Sequence, residues 1–275
     1  MRRPLILLVG LALAGLTLLP SATSATSATS AAPAKATLNA LPTASEVGKK
    51  VKLKGKAGDS VGTVKIQRRY GAGAWATVAK VKTNAKGKFS KRVPLEQPGA
   101  TSFRVTRGKD KSAARALSVF GWLDLTQQPH FAAENAGYES TPLSIGGRVF
   151  PTTFHAFGGS FRSFDISGCT KVEGWTGFVD GSGATMGDVQ ELQWNSGTYA
   201  ESIPEPPVLT TPPGAPVLRT IPVAGDNILY MELDVVQAAG QEQTAMGSPR
   251  AYCNVAGLKT PPLPFLRPSA RWSVG

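Results

Sequence analysis

The sequence predicts an all-β protein made of two β-sandwich domains in tandem. Apolar and polar residues alternate with a period of two in several short runs, glycine-rich turn signals separate those runs, and no helical period competes with them. Charge then divides the chain. From Thr37 to Phe120 there are 19 Lys/Arg against 4 acidic residues, a net of +15, whereas from Gly121 onward 8 basic residues face 14 acidic ones, a net of −6. A reversal of that size implies two regions with different partners.

The leader reads as an export signal. Arg2 and Arg3 precede an apolar run from Pro4 to Leu19 and then small residues, the three-part pattern of a signal peptide over residues 1–25. Cleavage fits near Ala22 or Ala25, and a later Ala-x-Ala site ends at Ala36. The run is short for a membrane span, and no cysteine follows it to carry a lipid anchor, so the expectation is a secreted, cell-wall-associated protein. Residues 26–36 are a Ser/Ala/Thr repeat with too little apolar surface to repay ordering, hence a flexible linker.

The first region, 37–120, carries the clearest strands. In "VKLKGKAG", Val51 and Leu53 alternate with Lys52, Lys54 and Lys56, giving one dry face and one wet face. "GTVKIQRRYGAGAW" repeats the pattern and turns at Gly71-Ala72-Gly73, "NAKGKF" supplies a second turn, and "ATSFRVTRG" adds a strand. Lys52, Lys54, Lys56 and Lys65 are candidates for one anion-binding sheet face; the alternative is an ordinary solvated face. The stretch "VKIQRRYGAGAWATVAKVKTNAKGKFSKRVPL" resembles bacterial immunoglobulin-like modules of secreted proteins, which implies a spacer or adhesive unit.

The second region, 121–257, is richer in aromatic residues. Leu143 and Ile145 lead into a Gly146-Gly147 hairpin turn, followed by Val149 and Phe150, a Phe154-His155-Ala156 segment, and the strands "SFRSFDISG" and "VEGWTGFVDGSG". The two cysteines, Cys169 and Cys253, read as one disulfide in an oxidising compartment, with two buried thiols as the alternative. Asp180 in "VDGSG" stands where a calcium ligand or a plain turn residue would.

The order "SIGGRVF", Phe-His-Ala, "FDISG" and "GFVDGSG" is similar to the NPCBM family of bacterial carbohydrate-binding-like modules, with "VLRTIPVAGDNILYMELDVV" matching its final pair of core strands. The resemblance implies a galactose-binding-like jelly roll. In that architecture His155 would sit in a polar notch with Phe154 beside it, and Trp175 or Trp194 would offer a sugar platform. Core roles for all four are the alternative. The run "ESIPEPPVLTTPPGAPVLRT" is expected to be an extended surface loop, "SPRAYCNVAG" departs from the family's closing segment, and 258–275 form a Pro-rich tail.

Catalytic machinery is not apparent. The chain has two histidines, no Gly-x-Ser-x-Gly elbow, and carboxylates at Asp165, Glu173, Asp180, Asp188 and Glu191 that no motif pairs. The sequence therefore points to a non-catalytic protein without a cofactor, apart from a structural calcium at Asp180. Its partner would be carbohydrate or anionic cell-wall polymer, not nucleic acid, since the chain is exported. A structural or adhesive surface protein is the alternative, followed by a glycan hydrolase.

Overall fold

The structure, a computed structural model, describes residues 36–132, 138–139, 142–156, 160–197, 208–236 and 243–261. The expected signal peptide at 1–25, nearly all of the expected linker at 26–36, Phe157, the Pro-rich stretch at 201–207 and the tail beyond 261 lie outside the described residues. The described chain is all β, as the period-two runs require. Its one helical element is a 3-10 turn at Leu125–Gln127, capped by the Asp124 carboxylate, which accepts from the Thr126 amide at 2.9 Å.

Nine strands form the first sandwich: β1 (Ala36–Leu38), β2 (Ala44–Glu46), β3 (Lys50–Ala57), β4 (Thr63–Tyr70), β5 (Ala76–Lys82), β6 (Lys88–Pro94), β7 (Gly99–Arg107), β8 (Asp110–Lys111) and β9 (Arg115–Asp124). One sheet runs β1-β3-β6. The other runs β2-β9-β7-β4-β5, with β2 parallel to β9 and β8 beside β7. Leu53, Ile66, Phe103, Val105 and Val119 are fully buried between the sheets. The expected turn before Phe89 forms because the Asn84 side chain accepts from the amides of Lys86 and Lys88 at 3.0 and 2.9 Å.

The second sandwich contains β10 (Phe131–Ala132), β11 (Tyr138–Glu139), β12 (Leu143–Ile145), β13 (Arg148–Phe150), β14 (Thr153–Ala156), β15 (Ser160–Asp165) and β16 (Cys169–Phe178). It continues with β17 (Val189–Gly197), β18 (Val208–Thr211), β19 (Val217–Pro222), β20 (Ile228–Val236) and β21 (Thr244–Cys253). One sheet runs β10-β15-β20-β17-β18. In the facing sheet β16 lies between β19 and β21, and β21 shares its other edge between β14 and β9, with β11 outside β14. Phe154, Phe164, Ile166, Val172, Leu192 and Leu229 fill the space between.

No linker separates the sandwiches, because β9 belongs to both. Its first half pairs with β7 and β2, and its second half pairs Gly121 to Cys253, Trp122 to Tyr252, Leu123 to Ala251 and Asp124 to Arg250. The charge boundary at Gly121 thus falls inside one continuous strand. Cys169 and Cys253 are bonded, with sulfurs 2.01 Å apart, and join β16 to β21 where β9 enters the sheet.

Strand β21 changes partners at a bulge. Gly247 opposes Trp175 and Arg250 opposes Glu173, so Ser248 and Pro249 together face one residue of β16. Ser248 takes φ 48 there, and a proline fits because a bulge needs no ladder donor. One expectation is corrected here. The Pro-rich run holds β18 and β19, whose Val-Leu pairs enter the ladders while Pro212, Pro213 and Pro216 stay between them. The Gly225 turn joins β19 and β20, which lie in different sheets.

The β12–β13 hairpin forms as its Gly-Gly turn predicts: Gly146 and Gly147 take φ 56 and 77, which two-residue type I′ turns demand. It lies on the outer face of the β14-β21-β16 sheet and makes a third small apolar layer of Ile145, Phe150 and Ala245. Close approach dictates glycine beneath it. A Cβ on Gly247 would come within 2.4 Å of the Phe150 ring, and one on Gly177 within 2.5 Å of Ile145.

Candidate functional site

The outer face of the sheet built from β9, β21, β16 and β19 gathers aromatic and charged side chains. Strand alternation puts them there. Leu123, Ala251, Cys253 and Val172 point into the core, so Trp122, Arg250, Tyr252, Lys171 and Glu173 point out. Trp122, Tyr252 and Lys171 form one cross-strand row, and Arg250 and Glu173 belong to the adjacent row.

Trp122 is 37% exposed, and its ring lies 5.1 Å from that of Tyr252, which stacks on Phe120 at 5.5 Å. The Lys171 ammonium and the Arg250 guanidinium sit over the indole at 4.8 and 4.2 Å. Glu173 accepts from Lys171 Nζ at 2.8 Å and from Arg250 at 3.0 Å. The Tyr252 hydroxyl donates to Glu46 of the first sandwich at 3.0 Å, so both sandwiches contribute. Burial and the Glu46 carboxylate push the Tyr252 phenol above its ordinary value.

Burial works against the charge on Glu173, but hydrogen bonds from Lys171 and Arg250 outweigh it and hold the carboxyl below its ordinary value. A carboxyl shifted in that direction stabilises the fold above its unfolded-state pKa. The contribution is lost as pH falls through the depressed folded value. Glu173→Gln is therefore expected to lower the urea midpoint at pH 7, and the difference from the parent protein is expected to shrink as pH falls below the ordinary carboxylate range. A pH-independent difference would mean that the charge is not the cause.

The residues singled out in the sequence fall elsewhere. Phe154 is 1% exposed in the core, packed on Phe164 at 5.8 Å and under the Arg162 guanidinium at 4.4 Å, so it cannot contact a ligand from solvent. His155 pairs with Ala245 on the outer face, but it is only 7% exposed, on a face that the hairpin layer covers at Ala245. His155 therefore offers little surface to a ligand from solvent. Trp194 is half-buried and packs against the core of the second sandwich. Trp175 is half-buried on the outer face, beside exposed Leu218 of β19, and the Arg148 guanidinium lies 4.0 Å from its ring centroid.

The lysines do not form one set. Lys52, Lys54 and Lys56 are exposed on β3, whereas Lys65 is on β4 of the opposing sheet. Outer faces of two packed sheets look in opposite directions, so Lys65 cannot join the others. Asp180 is occupied by donors. Its carboxylate accepts from the Ser144 hydroxyl and, at 2.9 Å, from the Gly147 amide, and these contacts hold its pKa below the ordinary value while pinning the hairpin. Among the described residues no group of three or more His, Cys, Asp or Glu could hold a metal ion.

Sequence reading missed Trp122, Tyr252, Lys171 and Arg250. The signal was present in the alternation of "FGWLD" and "RAYC", which puts aromatic and basic residues opposite apolar partners. What was missing was the pairing of the two segments.

The fold and this face define the class: an all-β, double-sandwich protein with an aromatic and charged sheet face. No family model matches the chain, and no curated protein does. Solved structures similar to it include the CBM51-2 and INT domains of Clostridium perfringens ZmpB, at 12% identity and TM-score 0.36, covering 59% of this chain and 38% of that one. They also include the CBM51 module of C. perfringens GH95 in complex with methyl-galactose, at 12% identity and TM-score 0.38, covering 48% of this chain and 99% of that one. A third is the tandem CBM51 modules of a family 98 glycoside hydrolase from Streptococcus pneumoniae, at 10% identity and TM-score 0.36, covering 71% and 72%. This chain thus spans about two fifths of the ZmpB structure.

Proposed function

We propose that this is a secreted, non-catalytic carbohydrate-binding protein whose sugar contacts are made on the outer face at the junction of the two sandwiches. The observation that carries this reading is a half-exposed tryptophan, Trp122, set beside Tyr252 and ringed by Lys171, Arg250 and Glu173. Sugars need an aromatic ring for their apolar face and charged or polar groups for their hydroxyls, and this row supplies both. Lys171 and Arg250 cover the indole through long side chains, so a ligand can displace them without moving the sheet. The NPCBM and immunoglobulin-like assignments belong to the same proposal, as does export by the leader at 1–25.

The test is a panel of immobilised glycans and insoluble wall polysaccharide, probed with the full chain and with Trp122→Ala. Retention of the parent protein, weakened on the order of tenfold in the variant, is the expected result. Full retention by Trp122→Ala would move the sugar contact to another face. No retention of the parent on any glycan would leave the structural or adhesive reading in its place.

A further inference from the structure

The outer face of the β1-β3-β6 sheet carries a cation ladder, and we infer that it is a docking surface for a linear, phosphate-bearing polymer. This inference stands independently of the sugar contact at Trp122.

On β3, Val51, Leu53 and Ala57 are buried, which turns Lys50, Lys52, Lys54 and Lys56 outward. On β6, Phe89 and Val93 are buried, which turns Lys88 and Arg92 to the same side. The register brings like charges together, since Lys52 is directly opposite Arg92 and Lys56 directly opposite Lys88. Such pairs destabilise a sheet, so folding alone does not favour this arrangement. Among the described residues the only ion pair on this face is Lys56 with Asp59 at the end of β3.

The geometry selects the occupant. Cations recur every ~6.8 Å along β3 and every ~13.6 Å along β6, where Ser90 stands between Lys88 and Arg92, and the two strands lie ~4.8 Å apart, so the ladder runs ~20 Å from Lys50 to Lys56. That length suits an extended polyanion better than a single small anion. Lysines dominate, and an ammonium meets a phosphate oxygen as a point charge, without the planar fork by which a guanidinium pairs bidentately with carboxylate and phosphate alike. An anionic bilayer fits less well, because among the described residues up to Phe120 the exposed large apolar side chains, Val47 and Val61, lie in the connections beyond the two ends of β3 and not on the strand itself.

The opposing sheet provides the control. It is also basic, and Lys65 lies directly opposite Lys80, but its arginines are engaged. Arg104 bonds Gln67 at 2.7 Å and stacks on Trp75, Arg68 bonds the Pro94 carbonyl and pairs with Glu96, and Arg107 bonds loop carbonyls. Lys52→Glu/Lys54→Glu and Lys65→Glu/Lys80→Glu therefore change net charge equally on opposite faces.

The experiment measures binding of the full chain to long-chain inorganic polyphosphate across a series of NaCl concentrations. Polygalacturonate and phosphatidylglycerol vesicles serve as further arms. The β3 double variant is expected to weaken polyphosphate binding roughly tenfold or more and to flatten the dependence of log K on log salt, while the control pair changes both far less. Its thermal midpoint should hold or rise, because like-charge repulsion is relieved. Equal losses for both pairs, a preference for polygalacturonate or for vesicles, or no polyphosphate binding by the parent would each overturn the inference. Trp122→Ala should leave polyphosphate binding unchanged, so a failure here is separable from a failure at the sugar face.

Discussion

Replacing Cys169 and Cys253 together by serine is expected to lower stability by up to about 4.5 kcal/mol, the chain-entropy value for a cross-link spanning 84 residues. The figure is an upper value because residual structure in the unfolded chain reduces the entropy that the bond removes. For a chain of this size, each kcal/mol moves the melting temperature by about 2 to 4 °C. A drop on the order of 10 °C is therefore the expected calorimetric result. The bond also guards the junction, since Cys253 is paired with Cys169 on one side and with Gly121 of β9 on the other. Added reductant should reproduce the loss in the parent protein and leave the double variant unchanged. A shift of less than about 2 °C would show that the sheet holds this register without the cross-link.

The second large effect concerns β9. Because one strand serves both sandwiches, and Tyr252 of one bonds Glu46 of the other, the parent protein is expected to unfold in a single transition. Leu123→Pro removes a backbone donor from the half of that shared strand that pairs with β21 and a side chain that is 8% exposed, at a cost of about 3 kcal/mol or more. It should split the melt into two steps. Near-ultraviolet circular dichroism and calorimetry, compared in parent and variant, check this. Two transitions already present in the parent would mean that β9 does not couple the sandwiches.

Much of the fold was legible locally. The alternation in "VKLKGKAG" correctly sorted Val51 and Leu53 from Lys52 and Lys54, and the Gly146-Gly147 pair marked a hairpin that forms at that turn. The cystine followed from reading the two cysteines of the chain as an even pair. Other elements were illegible for physical reasons. β21 contains Gly247, Ser248 and Pro249, residues with local turn chemistry, and nothing local reveals that a bulge there lets a central strand change partners. The prolines around β18 and β19 hid two strands, because edge and terminal positions tolerate a residue without an amide donor.

The candidate site was less legible than the fold. His155 alternates as an outward residue and so looks available, yet it lies on a face where a second layer, the β12–β13 hairpin, covers the neighbouring Ala245. Lys65 has the same local pattern as Lys52 and belongs to the opposite sheet. Trp122 and Tyr252 are 130 positions apart and become neighbours only through the pairing of β9 with β21.

Period-two patterning, turn chemistry, the cysteine pair and the distribution of charge were enough to establish an all-β chain, which side of most strands is dry, and a basic first half. Long-range strand pairing assigned each wet face to a sheet, merged the sandwiches through β9, and assembled Trp122, Tyr252, Lys171, Arg250 and Glu173 into one surface. The reason is that alternation is a property of one strand and its two faces. Which residues share a face, and whether another layer covers it, depends on hydrogen bonds made between segments far apart in the chain.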